Sequence, residues 1–240
     1  MATATVTRHE KTRHQKAVRS SVVLKAVMAV SGLIMVGYLL AHMAGNLHVF
    51  GGAEEFNTYA ADLRRIGEGL IPYGLVLWIA RIVLLLSVVG HIYSAIVLSR
   101  RSHRATGKGK RYQSKSARRG VQRSYASFTM RWGGLTIFLF VLFHLMHLTW
   151  KWINPGGGYT PYDRVVLSFQ NWWMVALYAV ALILVCLHIR HGVWSALTTL
   201  GLNTSVRARR TLNVVAVAVA GILLIGFLLP PFSILLGLVK

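Results

Sequence analysis

The sequence predicts an all-α, integral membrane bundle of five transmembrane helices, and three observations carry that expectation. The chain of 240 residues is 55% hydrophobic. It holds five apolar runs, each longer than the roughly 20 residues that a bilayer core demands. Its charges sort by loop. The runs cover about residues 22–49, 72–98, 128–150, 172–200 and 212–236, which leaves only short loops. Two segments result: a basic N-terminal stretch, 1–21, and a five-helix domain, 22–240.

A net charge of +21 would suggest nucleic acid in a soluble protein, but the placement of the charges argues against that partner. The N-terminal stretch (Arg8, Lys11, Arg13, Lys16, Arg19), the second loop (Arg100 through Arg123) and the fourth (Arg207, Arg209, Arg210) are strongly basic. Five of the six acids, Glu54, Glu55, Asp62, Glu68 and Asp163, lie in the first and third loops. The positive-inside rule then puts the N-terminus in the cytoplasm and the C-terminus outside. Cys186 is the only cysteine, so an internal disulfide and an iron–sulfur cluster are both excluded. Without C-x-x-C-H, any haem is b-type.

Taken in order, residues 1–21 are polar and basic, suited to anionic lipid or to an acidic partner face, or simply a solvated tail. The first run is too long for a secretory signal and lacks a small-residue cleavage pattern, so it is expected to be retained. Its Ser31, Gly32 and Gly37 reduce bulk, for close helix packing or for a flat cofactor. The first outer loop opens with glycines, continues as a short surface helix and reaches Pro72 at the start of the second run. Its acids are either solvated charge or proton-exchanging groups beside a quinone. The basic loop after Arg100 suits docking or lipid headgroups. The third run ends in an aromatic belt at Trp150 and Trp152, NPGGGYTP turns the chain, and the fourth starts at Trp172 and Trp173. The fifth run, 212–236, has no ionisable side chain and ends near Pro230 and Pro231.

Each of the first four runs carries a histidine in its interior: His42, His91, His144 and His188. A polar group in hydrocarbon costs several kcal/mol unless partnered. In the outward-running helices, His42 stands 17 residues after Lys25 and His144 stands 16 after residue 128. In the inward-running ones, His91 stands 19 after Pro72 and His188 stands 16 after Trp172. Each has advanced about 25 Å, so His42 and His144 share the outer half while His91 and His188 share the inner half. Two pairs by depth, each drawn from two helices, match the need of haem iron for two axial nitrogens on opposite faces. On spacing alone His147 or His191 is as good a ligand as its neighbour three residues before it. The spare histidines would bond a haem propionate, a quinone carbonyl or backbone. Arg81 and Arg190 lie in spans without an acid, and either grip haem propionates or snorkel to an interface.

The patterns AHMAGN, GHIYSA, FHLMHL and LHIRHGVWSALTTLG, with AEEFN in the first outer loop, resemble the di-haem cytochrome b558 family. These are the single-chain membrane anchors of succinate:menaquinone and fumarate oxidoreductases. The likeness runs from about Ser31 to the end of the fifth helix. It implies His91 and His188 as ligands of a proximal, cytoplasmic-side haem b and His42 and His144 as ligands of a distal one. It also implies a flavoprotein subunit, an iron–sulfur subunit docked on the cytoplasmic face of a bacterial cell membrane, and electron passage between them and menaquinone. A higher-order oligomer of the complex is compatible with this. For the quinone, Asp62 and Glu68 are the outer candidates, and a site near Arg19, Ser20 and His191 the inner one. Two other readings remain open at this level: a di-haem anchor of another respiratory dehydrogenase, and a haem-free transporter with a histidine relay, although no inverted repeat or broken helix pair supports the latter.

Overall fold

The computed structural model describes residues 20–105 and 121–240, which form helices joined by turns with no strand among the described residues. Helix α1 spans Ser21–Leu47. It starts there because the Ser20 hydroxyl accepts from the Val23 amide at 3.1 Å, pairing one of the free donors of the first turn. A 3₁₀ turn, His48–Gly51, leads into α2, Gly52–Arg65. This is the surface helix expected in the first outer loop, with Glu54 and Glu55 in its first turn and Arg64 and Arg65 in its last, each complementing the helix dipole. Helix α3 spans Leu75–Ala105, α4 Val121–His144, α6 Trp172–Thr199 and α7 Val206–Leu235. Between α4 and α6 lies α5, Pro161–Phe169.

Five of these, α1, α3, α4 with the turn that follows it, α6 and α7, are long and apolar enough to cross a membrane. Several expected boundaries need correction. Helix α3 begins three residues after Pro72 and runs on through Arg100, Arg101 and Arg104, because arginine is a good helix former once the chain leaves an apolar setting. For the same reason α4 takes in the end of the basic loop. Helix α7 starts at Val206, capped by Ser205 onto the Ala208 amide at 3.0 Å, so Arg207, Arg209 and Arg210 belong to it and it is not free of ionisable groups. It also continues through Pro230 and Pro231 instead of ending near them. Of the N-terminal segment, 1–19 lies outside the described residues, and so does 106–120 of the basic loop.

Helix α5 was not foreseen. Thr160 accepts from the Asp163 amide at 3.1 Å while the Asp163 carboxylate accepts from the Thr160 amide at 3.2 Å, a capping box with Pro161 at the first position. The preceding glycines let it fold back tightly. A Cβ on Gly158 would stand 2.6 Å from the Arg164 backbone nitrogen, a distance no side chain tolerates.

Helix α6 is the centre of the bundle, packed on α1, α4, α5 and α7. It buries Met174, Val175, Tyr178, Ala181, Leu182, Cys186, Ile189, Val193 and Ala196. The steps between them are mostly three or four residues, so one stripe faces inward. Two apolar clusters form along it. One joins Phe169, Met174 and Tyr178 to Val49 and Ile234, and the other joins Cys186, Ile189 and Val193 to Ala216 and Leu223. The bundle is otherwise inside out, with large apolar side chains such as Leu85, Leu86 and Ile225 exposed while Ser31, Ser87, Ser94, His147 and Ser168 are buried.

Candidate functional site

The four histidines meet in two pairs, each drawn from two helices that share little backbone contact. Helix α3 lies along α1, and α4 along α6, but α3 with α6 and α1 with α4 are not in extensive backbone contact. His91 of α3 nonetheless meets His188 of α6, with ring centroids 6.3 Å apart and planes at 57°. His42 of α1 meets His144 of α4 at 5.9 Å and 82°. The pairing by depth is therefore the pairing seen. About 15 Å of helix rise separates the two levels, since Gly32, beside His91, and His42 are ten residues apart on α1.

At the pair that the sequence assigns to the inner half, the His91 Nδ1 lies 3.1 Å from the Met28 carbonyl and 3.4 Å from the Ser31 hydroxyl. With its Nδ1 proton given to that carbonyl, the Nε2 lone pair is free to bind a metal. The buried His188 Nδ1 has no hydrogen-bond partner among the described residues. An interhelical hydrogen bond, the plain explanation for a membrane histidine, therefore does not account for this ring. The wholly buried Ser94 hydroxyl on α3 lacks a partner among the described residues too. Glycines flank both rings: a Cβ on Gly32 would sit 3.4 Å from His91 Cε1, and one on Gly134 3.9 Å from His188 Cε1.

The outer pair is walled by aromatics. His42 stacks on Tyr38 at 5.4 Å and leans on Phe227 at 5.8 Å. His144 faces Phe140, and its Nδ1 lies 3.2 Å from the Tyr178 hydroxyl. His147 sits in the π-helical turn Leu145–Thr149 that follows α4, and it is 1% exposed. Its Nδ1 is 2.8 Å from the same Tyr178 hydroxyl and its Nε2 is 2.8 Å from Ser168 of α5. Both nitrogens of His147 are thus engaged by side chains. Between the two histidines left open by spacing, His144 is the one with a nitrogen to spare.

No family model matches this chain, and no curated protein or solved structure matches it.

The donor sets match a metal held by two imidazoles. A metal–imidazole bond of about 2 Å, plus about 1.1 Å from nitrogen to ring centroid, puts two imidazoles on opposite faces of one metal with centroids about 6.2 Å apart. Both observed separations lie close to that. Among the described residues no group of three or more His, Cys, Asp or Glu side chains is arranged to hold a metal ion. Two imidazoles are too few for a tetrahedral zinc site but are the number a chelated iron leaves to the protein.

The remaining candidates divide. Arg81 and Arg190 are exposed on the outside of the bundle. The Arg81 guanidinium lies over the Trp78 ring at 4.9 Å, and neither arginine pairs with a carboxylate among the described residues. Asp62 lines an open depression of about 500 Å³ with His48, Gly51, Glu54, Glu55, Thr58 and Tyr59. Within it the His48 Nδ1 lies 2.7 Å from a Glu55 oxygen, and the His48 ring stacks on Tyr59 at 4.3 Å. Sequence reasoning had passed over His48, Glu55 and Tyr59 as a unit; the i, i+7 and i+11 spacing through a glycine turn was the available signal. Glu68 lies outside this depression, 4.0 Å from Arg65. Ser20 is committed to capping α1, His191 is half-buried, and Arg19 lies outside the described residues.

Proposed function

We propose that the chain is the membrane-anchor cytochrome b subunit of a succinate:menaquinone oxidoreductase, carrying two haems b. One observation supports this above the others: two histidine pairs at two levels, each bridging helices that share little backbone contact, at the ring spacing of a bis-imidazole metal centre. His91 and His188 would hold the inner haem, His42 and His144 the outer. The haems, when bound, supply one-electron carriers between an iron–sulfur partner and the quinone. The chain's own contribution is to orient the ligands, through the Met28 carbonyl at the inner level and Tyr178 at the outer, and to keep water from both with apolar and aromatic walls. The succinate-oxidising flavoprotein and the iron–sulfur subunit follow from the resemblance of the histidine-bearing patterns alone.

The outward apolar surface of the five long helices favours insertion in a bilayer, and the basic loops favour a cytoplasmic N-terminus in a cell membrane. The depression lined by His48, Glu55, Tyr59 and Asp62 is the better outer candidate for menaquinone, because it joins proton acceptors to an aromatic face. Asp62→Asn would then slow quinol turnover with haem content unchanged, while Glu68→Gln leaves turnover at the unsubstituted level.

A reduced-minus-oxidised spectrum of the purified chain tests the reading directly. A b-type band with two haems per chain is expected, and co-purification from native membranes should recover a flavoprotein bearing covalent flavin. Absence of any b-type band would leave a histidine-lined bundle without redox function.

A further inference from the structure

The outer centre has a hydrogen-bonded chain behind it, and metal binding at His144 Nε2 would fix its direction. If His144 binds metal through Nε2, its Nδ1 carries the proton and donates to the Tyr178 oxygen 3.2 Å away. The Tyr178 hydroxyl then has its own proton to give, and the acceptor at 2.8 Å is the His147 Nδ1. With that nitrogen accepting, the His147 proton sits on Nε2 and is donated to the Ser168 hydroxyl at 2.8 Å. Four side chains from three helices and one π turn thus fix one another's tautomers, in a site where His147 and Ser168 are almost wholly buried. The inner level shows no such chain among the described residues: His91 meets the Met28 carbonyl and, at 3.4 Å, the Ser31 hydroxyl.

We infer that Tyr178 and His147 are positioning residues for the outer haem, which set its redox potential through His144. This rests on the haem reading above. A hydroxyl that accepts from His144 while donating onward is polarised by the second bond, so it is a stronger acceptor than an isolated tyrosine. Drawing the Nδ1 proton away makes His144 a more electron-rich ligand, which favours the oxidised metal. No proton leaves the chain and no bond other than hydrogen bonds changes.

The test is a redox titration of the two b-type bands in the complex, in native membranes, for Tyr178→Phe beside the unsubstituted chain. Tyr178→Phe keeps the ring that packs on Phe140 and Phe169 and removes only the hydroxyl. The expected result is two haems retained, an unchanged inner midpoint, and an outer midpoint raised by about 59 mV for each tenfold loss of preference for the oxidised form, with about one such step expected. His147→Asn, whose side-chain oxygen can still accept from Tyr178, should shift the outer midpoint less than His147→Leu. An outer midpoint that does not move in Tyr178→Phe overturns the inference. Should Tyr178→Phe lose the outer haem, His147→Leu carries the test: an upward shift of the outer midpoint supports the inference, and any other result overturns it. Lack of a b-type band in the unsubstituted chain is a separate outcome and overturns the haem reading itself.

Discussion

The inner and outer histidine pairs are built from the same residue types at similar ring separations, yet their surroundings differ. The inner pair is framed by small residues, with Gly32 and Gly134 beside the rings and Ser31 and the Met28 carbonyl at the His91 nitrogen. The outer pair is framed by large ones, Tyr38, Phe140, Tyr178 and Phe227, and by side-chain hydrogen bonds in place of backbone ones. The contrast shows two ways of holding a histidine ring. Backbone contact is insensitive to side-chain replacement, so the inner centre is vulnerable mainly to added bulk. Side-chain contact makes the outer centre vulnerable to lost hydroxyls.

The largest expected effect breaks the comparison at its root. His91→Ala or His188→Ala should lower haem content from two per chain to one, leaving the outer signals, and His42→Ala or His144→Ala should do the converse. If extracted haem falls to zero in every variant, the two pairs do not act as separate centres. Next comes bulk. Gly32→Leu places atoms against His91, so it should displace the inner haem selectively in a haem-to-protein assay; Gly37→Leu, where a Cβ meets nothing within 4 Å, should retain both.

A smaller effect is expected at the outer centre. Ser168→Ala leaves the His147 Nε2 buried without its partner, and thermal unfolding in detergent should show a loss of about 1–3 kcal/mol with both haems kept. Unchanged stability would mean that the bond at 2.8 Å contributes nothing net. The smallest effect is none at all: Arg81→Gln and Arg190→Gln should retain both haems, because both side chains lie on the outside of the bundle. A haem deficit in either would restore the propionate role that exposure argues against.

Much of this was legible in the sequence, for definite physical reasons. Hydrocarbon thickness makes apolar run length diagnostic, and a rise of about 1.5 Å per residue converts position into depth, so His42 with His144 and His91 with His188 could be matched before any fold was seen. What depth does not supply is rotation about the helix axis. Helices α3 and α6 are apolar nearly all round, so nothing in their patterns said that Arg81 and Arg190 face outward. The choice between His144 and His147 required Tyr178 and Ser168, which lie 31 and 21 residues beyond His147 on other helices. Helix α5 was missed although TPYD carries a capping box, because nine residues behind three glycines read as turn.

The π turn at Leu145–Thr149 has a consequence of its own. Its wider winding, closed by the Trp150 amide on the Leu145 carbonyl at 2.7 Å, accommodates one more residue than an ordinary turn would. Deleting Leu148 would restore regular pitch and re-phase everything after it, turning Trp150 and Trp152 to a new azimuth and breaking the link between His147 and Ser168. This one stretch therefore counts residues: its chemistry tolerates substitution better than any change in its length.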